Sequence, residues 1–486
     1  MRVETGWSWR NSGVGGFVSL GVLLLAPVSS QADFITAFQA YKDKDYARAH
    51  AEFHEMALLG ESASQYNLGA MKWLGQGSEK DPAEALGWMR AAIDNGYTVS
   101  PALIDKVRAA TPPEHMARAD AIVARYGRSA MQATLLPAPG QGCPGWEGGR
   151  VVHARKATFP ITSDTDGFVL LEFTIGLDGL ARDVEVVTSE PAQQFDAAAK
   201  DSIYFSRFET FRFEGKPTER RTQVLLSFNL IPVTSYDDSM WNMRAVKKVK
   251  AYADAGHPTA QYVIGAMAFA DEAFRMPRQD AARMVVAAAQ GGNVDAQYWV
   301  SNYLDRFENC RPGKAQPWLE IAARKGHEGA RLMLADLLLR NPQPAEVERA
   351  RELLSGIART TDAYILRHAV AFLAGSPQAG VRDPVLALKL ARRISFSRSP
   401  VDPQMREAVA LALAANGDMK AAARDQERAI KQAKKLYWNT SLMEERLQAY
   451  QQGKHWTGDL FVVPPAISIP PFKGETAEVV HEEEED

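Results

Sequence analysis

A chain of 486 residues exceeds what one hydrophobic core serves and is expected to fold as several units. Hydrophobic residues make up 46% and charged residues 24%, a globular balance that excludes a chain disordered throughout. Lys and Arg number 56 against 59 Asp and Glu, so there is no general electrostatic pull toward nucleic acid or anionic lipid, and nucleic acid is not expected as a partner.

The first expected element is an export signal over residues 1–32. Arg2 and Arg10 precede the apolar run Val14 to Val28, Pro27 breaks that run, and the small residues Ser30 and Ala32 fit a signal-peptidase cut after Ala32. The competing reading is an uncleaved inner-membrane anchor, but the run is shorter than the roughly 20 residues a span requires. The mature chain is therefore expected in the periplasm. Export permits a disulfide, and the only cysteines are Cys143 and Cys310; the sequence leaves open whether they pair or remain two separate thiols.

Helical repeats are expected over residues 33–130 and again over 237–460. Gln65-Tyr66 with Gly69 recurs as Gln261-Tyr262 with Gly265 and as Gln297-Tyr298 with Ser301, at the period of about 35 residues that marks stacked helix pairs. The second helix of each pair repeats as well: Trp88-Met89, Ala91-Ala92 and Gly96 match Trp318-Leu319, Ala322-Ala323 and Gly326. Asp81 is placed to cap such a helix, Pro82 to open it, and Gly96 to close it; Asp383-Pro384 echoes the same start. Ala414 to Asp418 reads as a helix-turn-helix junction. Tyr66, Trp88 and their counterparts are expected as packing residues beside small Gly and Ala.

Residues 131–149, rich in Pro and Gly, read as a linker. A two-residue period follows. Phe168 to Gly176 and Ala181 to Val187 form a predicted hairpin about Leu177-Asp178-Gly179, Phe195 to Phe205 a helix, and Gln223 to Leu230 a further strand. A helix on a small antiparallel sheet is thus expected over residues 150–232. Arg220-Arg221 beside the last strand read as solvated charge on a sheet edge, with contact to an acidic peptide as the alternative. The end of the chain, residues 461–486, carries Pro464, Pro465, Pro470 and Pro471 and then His481 to Asp486, and is expected to be a disordered acidic tail.

Two family resemblances rest on these residues. The helix pairs resemble Sel-one-like repeats, relatives of tetratricopeptide repeats: residues 63–97 carry Tyr66, Gly69, Gly75-Gln76-Gly77, Asp81, Ala91-Ala92 and Gly96 in that family's order. The segment 150–231 resembles the C-terminal domain of TonB-family energy transducers through Phe159-Pro160, Asp166 to Val169, Asp178-Gly179, Val184 to Val187, Phe195-Asp196, Phe211-Arg212-Phe213 and Val224 to Leu230. The resemblances imply a mainly α protein, a helix-pair solenoid with an inserted small α+β domain. They imply protein binding, with the sheet edge Gln223, Val224, Leu225, Leu226, Ser227, Phe228, Asn229 and Leu230 pairing with an extended peptide of an envelope protein. An outer-membrane transporter is one such partner, and a role in energy-coupled transmembrane transport is the alternative function.

Enzymatic motifs are missing from the sequence. It has no nucleophile elbow, phosphate loop or dinucleotide-binding glycine pattern, and no catalytic residue, cofactor or metal is assigned. His50 and His54 share a helix face at the spacing of two metal ligands, but no third ligand accompanies them, and a solvated helix face is the expected role. Asp164 and Asp166 read as turn and cap residues rather than paired catalytic carboxylates.

Overall fold

The computed structural model describes residues 33–136, 146–160, 163–213, 215–228, 244–270, 276–306, 312–340, 342–357, 359–394, 402–436 and 438–458. The expected export signal, Cys143, Cys310, Asn229, Leu230 and the acidic tail lie outside them. Among the described residues no helix is long and apolar enough to cross a membrane.

Among the described residues seven helices precede the sheet: α1 (Phe34–Lys42), α2 (Tyr46–Ala57), α3 (Ser62–Leu74), α4 (Pro82–Asp94), α5 (Pro101–Ala109), α6 (Met116–Tyr126) and α7 (Arg128–Thr134). The caps explain their limits. Asp81 accepts hydrogen bonds from Ala83 N and Glu84 N, Pro82 opens α4, and Gly96 leaves it at φ +103°, a conformation that costs glycine nothing. α7 occupies the start of the expected linker. Its continuation, Leu135, is buried with Met131 among the later repeats, so this stretch is held by apolar burial despite the Pro- and Gly-rich sequence that follows.

The α+β module comprises β1 (Trp146–Glu147), β2 (Val151–His153), β3 (Gly167–Ile175), β4 (Ala181–Glu190), α8 (Asp196–Tyr204), β5 (Arg207–Phe208), β6 (Arg212–Phe213), β7 (Lys216–Pro217) and β8 (Arg220–Phe228). β1, at the end of the expected linker, pairs with β6. The main sheet is antiparallel in the order β4-β3-β8, with Phe168 opposite Ser227 and Leu170 opposite Leu225. Strand alternation gives β3 two different faces. Val169, Leu171, Phe173 and Ile175 pack with Phe195, Ala199 and Ile203 of the α8 region, whereas Phe168 and Leu170, with Leu225, enter a core shared with helical repeats.

Among the described residues twelve helices follow the module: α9 (Arg244–Asp254), α10 (Pro258–Ala270), α11 (Arg278–Gln290), α12 (Val294–Arg306), α13 (Pro312–Arg324), α14 (Glu328–Leu339), α15 (Pro344–Ser355), α16 (Ala363–Gly375), α17 (Pro384–Ala391), α18 (Pro403–Ala415), α19 (Met419–Lys435) and α20 (Ser441–Gln451). Most pack chiefly on their sequence neighbours, as stacked helix pairs do. Asp383 caps α17, and Gly417 at φ +85° with Asp418 joins α18 to α19 at the expected junction.

The two helical blocks are in direct contact. Phe34 N donates to Gly291 O at 3.0 Å, Gln290 Nε2 to Leu59 O at 2.8 Å, and Trp318 Nε1 to Leu135 O at 3.0 Å. Leu59, Met131 and Leu135 share one core with Tyr262, Val285 and Trp318. The module therefore interrupts the repeats in sequence while the repeats meet in space.

Candidate functional site: a groove between the sheet and the repeats

The sheet face that carries Phe168 and Leu170 does not seal against the repeats along its whole length. Beyond Leu170 the same face presents Glu172, opposite Gln223 on β8 and Glu185 on β4, and here the surfaces part to leave a groove of about 1430 Å³. Its repeat wall is aromatic. Tyr262 and Phe269 come from α10, Tyr298 and Trp299 from α12, and Tyr364 from α16. Phe269 and Trp299 pack at 4.7 Å between ring centroids, and Tyr298 stacks on His327 at 4.3 Å. Burial pushes the hydroxyls of Tyr262 and Tyr298 upward, so both are neutral donors at physiological pH, and Gln223 hydrogen-bonds Tyr262.

Arg221 ties the module to the wall. Its Nε lies 2.6 Å from Glu172 Oε2 on the neighbouring strand, its Nη2 lies 2.6 Å from Asp362 Oδ2 at the start of α16, and its guanidinium lies over the Tyr364 ring at 4.9 Å. Asp362 is fixed in turn because it caps α16 through Tyr364 N. The expectation that Arg220-Arg221 hold a strand edge in water is thus corrected. Arg220 is buried and stacks over Phe211, and Arg221 is a doubly paired cation whose side chain is 9% exposed, because a second protein surface stands where solvent was expected.

The predicted edge residues separate into three groups. Gln223 lines the groove, together with Arg220, Arg221 and Thr222, which sequence reasoning placed outside the strand. Leu225 is buried in the core shared with the repeats and Phe228 in the module core, while Val224 and Leu226 pack beside the latter. Ser227 is exposed. On the outer side of β8 no strand pairs with it among the described residues.

A second polar contact lies at the far end of the sheet, where the β3–β4 turn enters the C-terminal repeats. Arg182 Nη2 meets Asp178 Oδ2 at 2.6 Å, and Arg182 Nε lies 3.2 Å from Asp402 Oδ2. Trp438 Nε1 donates to Asp178 at 2.9 Å, with Arg182 over its ring at 4.9 Å. Arg367 of α16 pairs with Asp183 at 3.0 Å and approaches Glu219 at 3.6 Å; both Arg367 and Asp183 side chains are 0% exposed. Sequence reasoning saw only a hairpin turn here, since the partners lie far along the chain. A retrospective signal is the charged pair Arg182-Asp183 set between the apolar Ala181 and Val184 at the start of the strand.

His50 and His54 stack at 6.3 Å on α2, with His54 edge-on to Trp88 at 6.2 Å. Burial lowers both imidazoles, yet His50 is half-buried and His54 exposed, so the pair lies on a helix face that is partly packed and partly solvated. Among the described residues no group of three or more His, Cys, Asp or Glu is arranged to hold a metal ion.

Residues 161–230 match the family described as Gram-negative bacterial TonB protein C-terminal. Among solved structures, the chain is similar to a protective antigen present in uropathogenic Escherichia coli strains and displaying an SLR fold, at 14% identity and a TM-score of 0.30, over 86% of this chain and 83% of that one. No curated protein matches the chain. A TonB C-terminal-like module set among paired helices defines a chain whose parts point to protein interaction.

Proposed function

We propose that this is a non-enzymatic binding protein of the Gram-negative envelope, exported to the periplasm, whose groove receives an extended segment of an envelope protein. The carrying observation is that β8 has an outer side unpaired by any described strand, while its first half opens into the groove. Unpaired strand groups favour addition of a further strand, and the aromatic wall supplies apolar surface for alternate side chains of that strand. Arg221 and its two carboxylates keep edge and wall in register, so the site is largely pre-organised and binding orders little more than the peptide.

The family match of residues 161–230 favours a second reading, an accessory of energy-coupled transport whose partner is an outer-membrane transporter. One experiment tests both. A photocrosslinking residue at Thr222 in the groove is compared in cells with one at the exposed Ile93 on α4. Thr222 is expected to capture one extended segment, with capture lost in Trp299→Ala; identical products from both positions would refute the groove as the site. Recovery of an outer-membrane transporter selects the second reading.

A further inference from the structure

The turn of the β3–β4 hairpin is buried among more acids than bases. Asp178, Asp183, Glu219 and Asp402 surround Arg182 and Arg367, an excess of negative charge inside protein. Asp183 Oδ1 accepts no hydrogen bond, and Asp402 Oδ2 has only the 3.2 Å ion-pair contact with Arg182 Nε, outside hydrogen-bond geometry. Low-dielectric surroundings make such an excess costly, and uptake of one proton relieves it. We propose that the hairpin tip is a proton-operated latch: a neutral Asp402 holds the module against the C-terminal repeats, and ionisation of Asp402 loosens it.

Geometry places the proton on Asp402. Asp178 has Arg182 and the Trp438 indole; Asp183 has Arg367 and the Thr174 hydroxyl; Glu219 is partly solvated and accepts from Gln404. Asp402 faces Arg182 through Nε alone, and its other oxygen caps Gln404 N. Burial lifts Asp402 to about 6 against the opposing pull of Arg182 and Arg367. Burial acts upward on Asp183 too, but Arg367 and Arg221 outweigh it and hold that carboxyl below its usual range. From α16, His368 also faces the cluster; burial and Arg367 push it down to about 3, so it stays neutral. From α8, the Tyr204 hydroxyl is pushed up to about 12 and stays protonated.

The sign follows. An acid raised in the docked state penalises docking above about pH 6, and the penalty fades as pH falls toward the ordinary carboxylate value. The latch tightens on mild acidification. A rise of about two pH units in the proton affinity corresponds to up to roughly 100-fold in the docking equilibrium.

The test is hydrogen exchange of the full chain, read as protection factors for amides 177–184 over a pH series from about pH 8 to about pH 4. The wild type is expected to gain protection as pH falls through about 6, by about tenfold at pH 5 and up to roughly 100-fold toward pH 4. Asp402→Asn keeps a helix-capping side chain and removes the titration, so it should show the acid-level protection across the series. Glu219→Gln, at a partly solvated side chain, leaves the Arg367–Asp183 pair in place, removes a negative neighbour and should move the wild-type midpoint to lower pH. A flat wild-type response, a response retained in Asp402→Asn, or an unmoved midpoint in Glu219→Gln would each overturn the latch; the last applies even where Asp402→Asn fails to fold.

Discussion

Arg367 shows how strongly one residue is committed by its surroundings. Its side chain is fully buried, and its charge is tolerable only because Asp183 lies 3.0 Å away and Gln404 accepts a further hydrogen bond. Breaking a buried pair from one side leaves the other charge uncompensated, whereas removing both charges does not. Arg367→Met is therefore expected to cost about 3–5 kcal/mol, and Arg367→Met combined with Asp183→Asn to recover much of that loss. Urea unfolding of the two variants decides it. If the double variant is as unstable as the single one, the loss lies in packing rather than in the stranded carboxylate. None of this was legible in the sequence, because Arg367 lies in a helix whose pattern predicts only packing, and the pairing depends on a turn from another part of the chain.

At the scale of elements, what the sequence revealed and what it hid divide along range. Helix starts were legible because an Asp-Pro start acts on its own next turn, as Asp81 and Asp383 do. The hairpin was legible because alternation and an Asp-Gly turn are equally local. The docking of the sheet was hidden: Phe168 and Leu170 have the alternation of any strand whose second face is covered, and nothing nearby says by what. Repeat glycines are an intermediate case, since recurrence marks them and geometry explains them. A Cβ on Gly69 would lie 3.0 Å from Ala85 O and 2.9 Å from Met89 Cγ; on Gly265 it would lie 3.0 Å from Ala281 O and 2.6 Å from Val285 Cγ2. The same close crossing is thus built twice, in α3–α4 and α10–α11. Gly69→Val and Gly265→Val should each cost about 1–3 kcal/mol through overpacking, visible as a lower thermal midpoint. A neutral outcome at both would mean that the helices separate readily and that the glycines serve something else.

For the whole molecule, the decisive question is whether the helices before the sheet and those after it form one cooperative body. Leu135 is the sharpest probe. It follows α7, is 6% exposed, accepts the Trp318 indole hydrogen bond through its carbonyl, and shares a core with α10 and α11. Replacing it by Ala leaves that carbonyl in place and removes apolar contact, at a cost of about 2–5 kcal/mol if the cavity does not collapse. In one cooperative body the loss lowers the free energy of global opening, so slow amides in α4, α10 and α13 all exchange faster by the same free energy. In two independently stable bodies the acceleration stays within α7 and its immediate neighbours. The hydrogen bonds from Phe34 to Gly291 and from Gln290 to Leu59 cross the same boundary, which favours the cooperative outcome. That outcome bears on function as well. Deleting the module, whose Phe168, Leu170 and Leu225 belong to this core, would damage the repeats themselves. Loss of binding after such a deletion would then not locate the binding surface, whereas a point substitution in the groove, such as Trp299→Ala, tests that surface while leaving the sheet in place.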